Sequence, residues 1–159
     1  MPDSLARVAI HMVFSTHGRA PLIRESFRES LLRYLQTVIN DTGCISIAAG
    51  GVADHVHLLF YLGREASMAG VAMKLKSTSA KWVKSLSADN QGFQWQTGYG
   101  AFSVGCSQLE AAVAYVMGQV EHHRVVSFHE EYVRFLEMHG YAVDQADPSG
   151  QSGGPPDET

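Results

Sequence analysis

The sequence predicts an α+β fold, an antiparallel sheet with helices packed on it, and three observations carry that reading. Apolar residues alternate with a period of two in the run 7–14, a β-type run fills 44–49, and strand-forming residues fill 53–62. Elsewhere apolar residues recur at three- and four-residue spacings, as on helices that face a core. Ser67, Ser107 and Ser127 stand where helix N-caps are needed, and the last two are followed three residues on by Glu110 and Glu130, the capping-box pattern.

Taken in order, Val8, Ile10, Met12 and Phe14 share one face of a first strand, and Pro21 closes the loop that carries Arg19. From about Ser26 to Asn40, Phe27, Leu31, Leu35, Val38 and Ile39 follow helical spacing, and Gly43 supplies the stop. Cys44–Ala49 and Ala53–Leu62 read as a hairpin turned at Gly50-Gly51. Ser67 opens a second helix to about Leu86 with Val71, Leu75, Trp82 and Leu86 inward, and the segment 93–104 holds the last strand. A third helix is expected from Ser107 to about Arg124, and a fourth from Ser127 to Gly140. The order β-α-β-β-α-β is that of a ferredoxin-like split βαβ sheet with two additional C-terminal helices; its first and third strands are central and adjacent.

A chain of 159 residues with 45% hydrophobic and 18% charged residues is long enough for one domain with a real core. Residues 1–143 are expected to form that domain and 144–159, rich in Pro, Gly, Ser and acid, a disordered acidic tail. The net charge of -4 resides in that tail, so the folded part is neutral, and binding to a polyanion needs its basic residues gathered on one surface. No apolar run reaches bilayer length and residues 1–14 lack a signal-peptide pattern, which predicts a cytoplasmic protein without membrane contact. Cys44 and Cys106 are too few for a disulfide framework.

Chemistry enters with His55-Val56-His57. Alternation along a strand sends both imidazoles to one face while Val56, Leu58, Phe60 and Leu62 take the other, so two nitrogen ligands aim at one spot. On spacing alone, a polar strand face that carries two histidines by chance is an equal reading. In the third helix Leu109, Val113, Val116 and Val120 form an apolar stripe, flanked by Ala112, Tyr115, Gln119 and His122. A tyrosine hydroxyl is a usable nucleophile toward a phosphodiester when a cation draws charge off the phosphate, and a carboxamide oxygen is a hard ligand able to join two imidazoles; taken alone, the pair reads first as a packing tyrosine beside a solvated glutamine. Met117-Gly118 puts a glycine inside this helix between Tyr115 and Gln119, at a cost of about 1 kcal/mol of helix stability relative to Ala. His11, His17, His123, His129 and His139 follow no pattern that assigns them a role, and His122 reads as structural.

Five segments taken together resemble the single-tyrosine HUH transposases of small bacterial insertion sequences, the IS200-like and REP-associated tyrosine group. They are residues 10–19 (IHMVFSTHGR), 54–59 (DHVHLL), 74–79 (KLKSTS), 93–104 (FQWQTGYGAFSV) and 115–124 (YVMGQVEHHR). The resemblance implies His55, His57 and Gln119 as metal ligands, Tyr115 as nucleophile and Mg²⁺ or Mn²⁺ as cofactor. It further implies a homodimer, with the tyrosine of one subunit able to serve the histidine pair of the other. The implied reaction is cleavage and rejoining of single-stranded DNA at insertion-sequence ends through a 5′-phosphotyrosine. Hairpins at those ends would meet basic residues, for which Arg19, Lys74, Lys81, Lys84 and Arg124 are the candidates. A histidine-triad hydrolase is excluded by Leu59 where a third alternate histidine is needed, and a zinc hydrolase by the lack of a His-Glu-x-x-His helix. The alternative is a domesticated hairpin-DNA-binding regulator of the same fold.

Overall fold

The computed structural model describes residues 4–123 and 126–141. Its elements are β1 (Ala9–Ser15), α1 (Glu25–Asp41), β2 (Ile45–Gly51), β3 (His55–Tyr61), α2 (Met68–Leu86), β4 (Gly100–Val104), α3 (Leu109–Met117), α4 (Gln119–His122) and α5 (Phe128–Met138). The four strands form one antiparallel sheet in the order β2-β3-β1-β4, as the ferredoxin-like reading requires, with β1 and β3 central. The expected tail, 144–159, lies outside the described residues, as does Arg124. Among the described residues no helix is long and apolar enough to cross a membrane.

Strand alternation divides the side chains between two layers. Ile10, Met12 and Phe14 of β1 join Val56, Leu58 and Phe60 of β3 beneath α1 and α2, which contribute Leu31, Leu35, Ile39 and Leu75, all fully buried. The opposite face carries His11, Val13, His55, His57 and Leu59, and α3 and α5 cover it. Register sets the histidines among their neighbours: Val13 pairs with His57 and Ser15 with His55 across β1 and β3, while Gly50 of β2 pairs with His57.

Several expected features take a different form. Gly50 and Gly51 are not the hairpin turn but the end of β2, and the chain reverses over Val52–Asp54, where Val52 N–H donates to His55 O at 3.1 Å. Gly50 is required for contact instead: a Cβ there would lie 1.7 Å from the carbonyl oxygen of Val116, so α3 rests on bare backbone. Ser67 and Ser127 cap α2 and α5, accepting from the N–H groups of Gly70 and Glu130. Ser107 caps nothing; it lies in a 3₁₀ turn, Cys106–Gln108, that leads into α3. The single long third helix divides at Gly118 (φ -91°, ψ 18°), and the change of phase leaves Val120 exposed rather than in the apolar stripe. Leu86, expected inside, is exposed, and Trp82 is half-buried against Tyr34, their rings stacked at 5.0 Å. Trp95 supplies the missing core volume, buried with its Nε1 donating to Ser79 Oγ at 2.9 Å.

Candidate metal centre

Both strand imidazoles are completely buried and their Nε2 atoms face the same point. Each ring is held by its other nitrogen. His55 Nδ1 lies 2.7 Å from Asp54 Oδ1, and His57 Nδ1 lies 2.7 Å from Nε2 of His11 on β1. A ring tied at Nδ1 presents Nε2 in a fixed direction, which is how ligating histidines are ordinarily oriented.

The helices bring the rest. Val116 is fully buried against Ala48 and Leu59, which docks α3 on β2 and β3. Beyond Gly118, α4 turns Gln119 inward, 1% exposed, and carries His122 and His123 over the histidine pair. From the other side α5, anchored by Phe128 against Val13 and Phe102, delivers Glu131, 2% exposed. Its Oε1 stands 2.6 Å from His57 Nε2 and 3.4 Å from His55 Nε2; its Oε2 stands 3.2 Å from His123 Nε2 and 2.9 Å from His122 Nε2. The Tyr115 hydroxyl donates to the same Oε2, with His122 Nε2 3.4 Å away. Gln119 Oε1 is 3.0 Å from His123 Nε2, and its Nε2 donates to Tyr115 O at 3.1 Å. Thus Tyr115, Gln119, His55 and His57 are brought together within a single chain.

The electrostatics of the cluster follow from a carboxylate enclosed by imidazoles. Burial raises the proton affinity of Glu131, but hydrogen bonds with His123, His55 and His57 outweigh it and hold the carboxyl well below the usual range. Burial drives His57 down to about 4 against the pull of Glu131, and burial together with neighbouring His57 drives His11 to about 3. Burial lowers His55 as well, yet hydrogen bonds to Asp54 and Glu131 prevail and its pKa is raised. The Tyr115 phenol is pushed far up, first by burial and then by its bond to Glu131, so it is held protonated. A neutral His57 beside a buried carboxylate is the state that metal binding requires. His55, His57, His123 and Glu131 each offer one ligand atom, all within 4.8 Å of one another, and such a set fits a divalent cation.

A family model for IS200-like transposases matches residues 4–119. The chain belongs to that family. The transposase also resembles two solved structures in fold. One is a candidate transposase from Deinococcus radiodurans R1, 18% identical, with a TM-score of 0.59, covering 74% of this chain and 96% of that one. The other is a REP-associated tyrosine transposase bound to a REP hairpin, 15% identical, with a TM-score of 0.57, covering 96% of this chain and 94% of that one. No curated protein matches the chain.

Among the described residues, the basic candidates do not gather at the centre of this transposase. Lys74, Lys81 and Lys84 lie on α2, across the sheet from the histidines, with Lys74 and Lys81 exposed and Lys84 half-buried. Arg19, at positive φ (54°) after β1, reaches the other layer, its guanidinium 5.9 Å from the Phe128 ring. Lys76, between the α2 candidates, turns inward and donates to Gln96 O at 2.9 Å and to Gly98 O, tying α2 to the segment before β4. The sequence reading missed Glu131, His123 and His11. Glu131 had a visible signal, an acid on the face of α5 that Phe128 and Phe135 share at helical spacing.

Proposed function

We propose that this transposase cleaves and rejoins single-stranded DNA through Tyr115, with His55, His57 and Gln119 holding a divalent cation. The observation that carries the proposal is the meeting of the half-buried Tyr115 phenol with two strand-borne imidazoles that are fixed at Nδ1 and face one point. The cation, when bound, polarises the scissile phosphate as a Lewis acid. The remaining steps belong to the chain. The hydrogen bond to Glu131 orients the Tyr115 oxygen, whose proton passes to water as the oxygen attacks. The oxygen attacks phosphorus, the bond from phosphorus to the 3′ oxygen breaks, and that oxygen leaves as a 3′-hydroxyl after taking up a proton. Rejoining is the reverse attack by a 3′-hydroxyl, which returns the phenol. Tyr115 is half-buried beside a nearly closed cluster, and its raised proton affinity keeps it unreactive until charge arrives at the site.

The substrate we propose is a single strand bearing a hairpin; the hairpin bound by the structurally similar REP-associated enzyme supports this. Arg19 stands on the side of the centre and Lys74, Lys81 and Lys84 on the far layer, so a hairpin gripped by all four would wrap the edge of the sheet. Arg124, outside the described residues, is the next residue in sequence after His123. The test uses the purified full-length chain, a labelled single-stranded hairpin and Mn²⁺, with a covalent adduct read on a denaturing gel. Wild type forms the adduct, Tyr115→Phe binds DNA without forming it, and His57→Ala loses cleavage and metal dependence. An adduct with Tyr115→Phe removes the nucleophile assignment. Hairpin binding with no cleavage under any divalent ion would establish instead a hairpin-binding regulator of the same fold.

A further inference from the structure

We infer that the cation site extends beyond the residues matched by the family model: His123 of the loop after α4 and Glu131 of α5 are direct ligands, making a centre of three imidazoles and a carboxylate that takes a transition ion in preference to Mg²⁺. This rests on the proposed reading of His55 and His57 as ligands and specifies what completes them. The family model ends at residue 119, so neither added ligand lies within it.

Three observations converge. With metal–nitrogen and metal–oxygen bonds of about 2.1 Å, neighbouring ligand atoms on one ion stand about 3.0–3.4 Å apart. His55 Nε2 to His123 Nε2 is 3.0 Å, His123 Nε2 to Glu131 Oε2 is 3.2 Å and Glu131 Oε1 to His55 Nε2 is 3.4 Å, while His57 Nε2 to Glu131 Oε1, at 2.6 Å, is a hydrogen bond that a cation between them would open. Next, Glu131 is an acid 2% exposed on the otherwise apolar inward face of α5, beside Phe128 and Phe135, and an ionised carboxylate so buried needs cationic or hydrogen-bonding partners. Finally, outer contacts already hold two of the rings, with Asp54 behind His55 and His11 behind His57, and the oxygen of Gln119, a ligand in the proposed reading, lies 3.0 Å from His123 Nε2 on the same side. Mg²⁺ favours oxygen ligands and retains its waters, whereas three imidazoles with one carboxylate suit Zn²⁺ or Co²⁺ best and Mn²⁺ less well, though better than Mg²⁺. Since Oε2 of Glu131 also accepts from Tyr115, the same carboxylate links the cation site to the phenol.

The test is metal binding by the metal-free full-length chain, measured for Mn²⁺, Zn²⁺ and Mg²⁺ by equilibrium dialysis, with pulsed electron paramagnetic resonance counting imidazole nitrogens on bound Mn²⁺. Wild type should show three imidazoles on Mn²⁺ and bind Mg²⁺ at least about 100-fold more weakly. His123→Asn should reduce the count to two, and both His123→Asn and Glu131→Gln should weaken Mn²⁺ binding about tenfold or more. Two imidazoles in wild type would overturn the inference, a result that does not depend on any variant folding. Unchanged affinity in both variants, with binding lost in His57→Ala, would also overturn it while leaving the proposed function intact. Wild-type affinity in His55→Ala and His57→Ala would overturn both.

Discussion

Nε2 of His11 lies 2.7 Å from Nδ1 of His57, a contact made across the two central strands from the one β1 histidine that faces the centre. Only one tautomeric arrangement leaves His57 Nε2 free as a donor pair for a cation: His57 carries its proton at Nδ1 and His11 accepts. His11 thereby orients a ligand without touching the ion. We expect His11→Ala to lower Mn²⁺ affinity by 10- to 100-fold, the usual effect of removing a partner behind a ligating histidine. Titration calorimetry on the metal-free protein reads it. An unchanged affinity would mean that packing of the ring, not its hydrogen bond, is what β1 contributes.

Acid should weaken metal binding and the fold by different groups. His57 is neutral well below neutral pH, so the competing proton sits on His55, whose pKa is raised above 6.5. Mn²⁺ affinity should therefore be full above the His55 value and begin to fall at a pH higher than 6.5 as protons take its place. For the metal-free fold, His11 and His57 stay neutral down to about 3 and 4, while the unfolded chain protonates both near 6.5. Stability is then lost as pH falls from about 6.5 toward 4, by on the order of 2–3 kcal/mol per pH unit once both unfolded-state rings are charged. The His55 contribution has the opposite sign: it is complete below 6.5 and disappears only as pH rises through the folded value, so it does not flatten this slope. Urea unfolding at pH 7.5, 6 and 5 with a chelator present is the measurement, and a constant midpoint would contradict the burial argument.

A methyl group on Gly50 tests how α3 is seated. It would stand 1.7 Å from Val116 O and 3.4 Å from Gln119 Cγ, so the helix must rise off β2. Overpacking of this kind costs about 1–3 kcal/mol. Gly50→Ala should lower Tm by about 3 °C or more and reduce adduct formation, because Tyr115 and Gln119 move with the helix. Gly92→Ala, whose Cβ meets nothing within 4 Å, is the control and should leave both unchanged.

Periodicity and capping made the sheet, its strand order and both layers legible, because each strand face and each helix stripe is written locally in residues such as Val56, Leu58 and Phe60. The histidine pair and the Tyr115–Gln119 step were legible for the same reason. The rest of the centre depends on what sequence spacing does not encode. His11 finds His57 through cross-strand register. His123 reaches the cluster beside His122 past the break at Gly118, a place that the continuous helical stripe read from the sequence does not give it. Glu131 sits in the first turn of α5, where an acid is already accounted for by the helix dipole, so its burial escapes notice unless the neighbouring Phe128 and Phe135 are read as one face. The glycines at 50 and 51 were misread because a turn and a close approach leave the same residue behind.

The arrangement of one chain bears on how many chains a reaction needs. The Tyr115 ring lies 5.7 Å from the His57 ring of the same molecule, and the helix that carries it is docked on its own sheet through Val116 and Gly50. Exchange of that helix between subunits would first have to undo this packing, so we expect assembly in cis. Mixing Tyr115→Phe chains with His57→Ala chains then gives no adduct, since no molecule holds both a phenol and a complete histidine pair. Assembly in trans would restore about a quarter of wild-type adduct in an equal mixture, as half of randomly paired dimers would own one intact site. The mixture must be refolded together before assay, so that subunit exchange is complete and silence reflects geometry rather than slow mixing. Recovery near that fraction would show that the tyrosine helix works on a partner, and that the contacts seen within one chain are broken when DNA is processed.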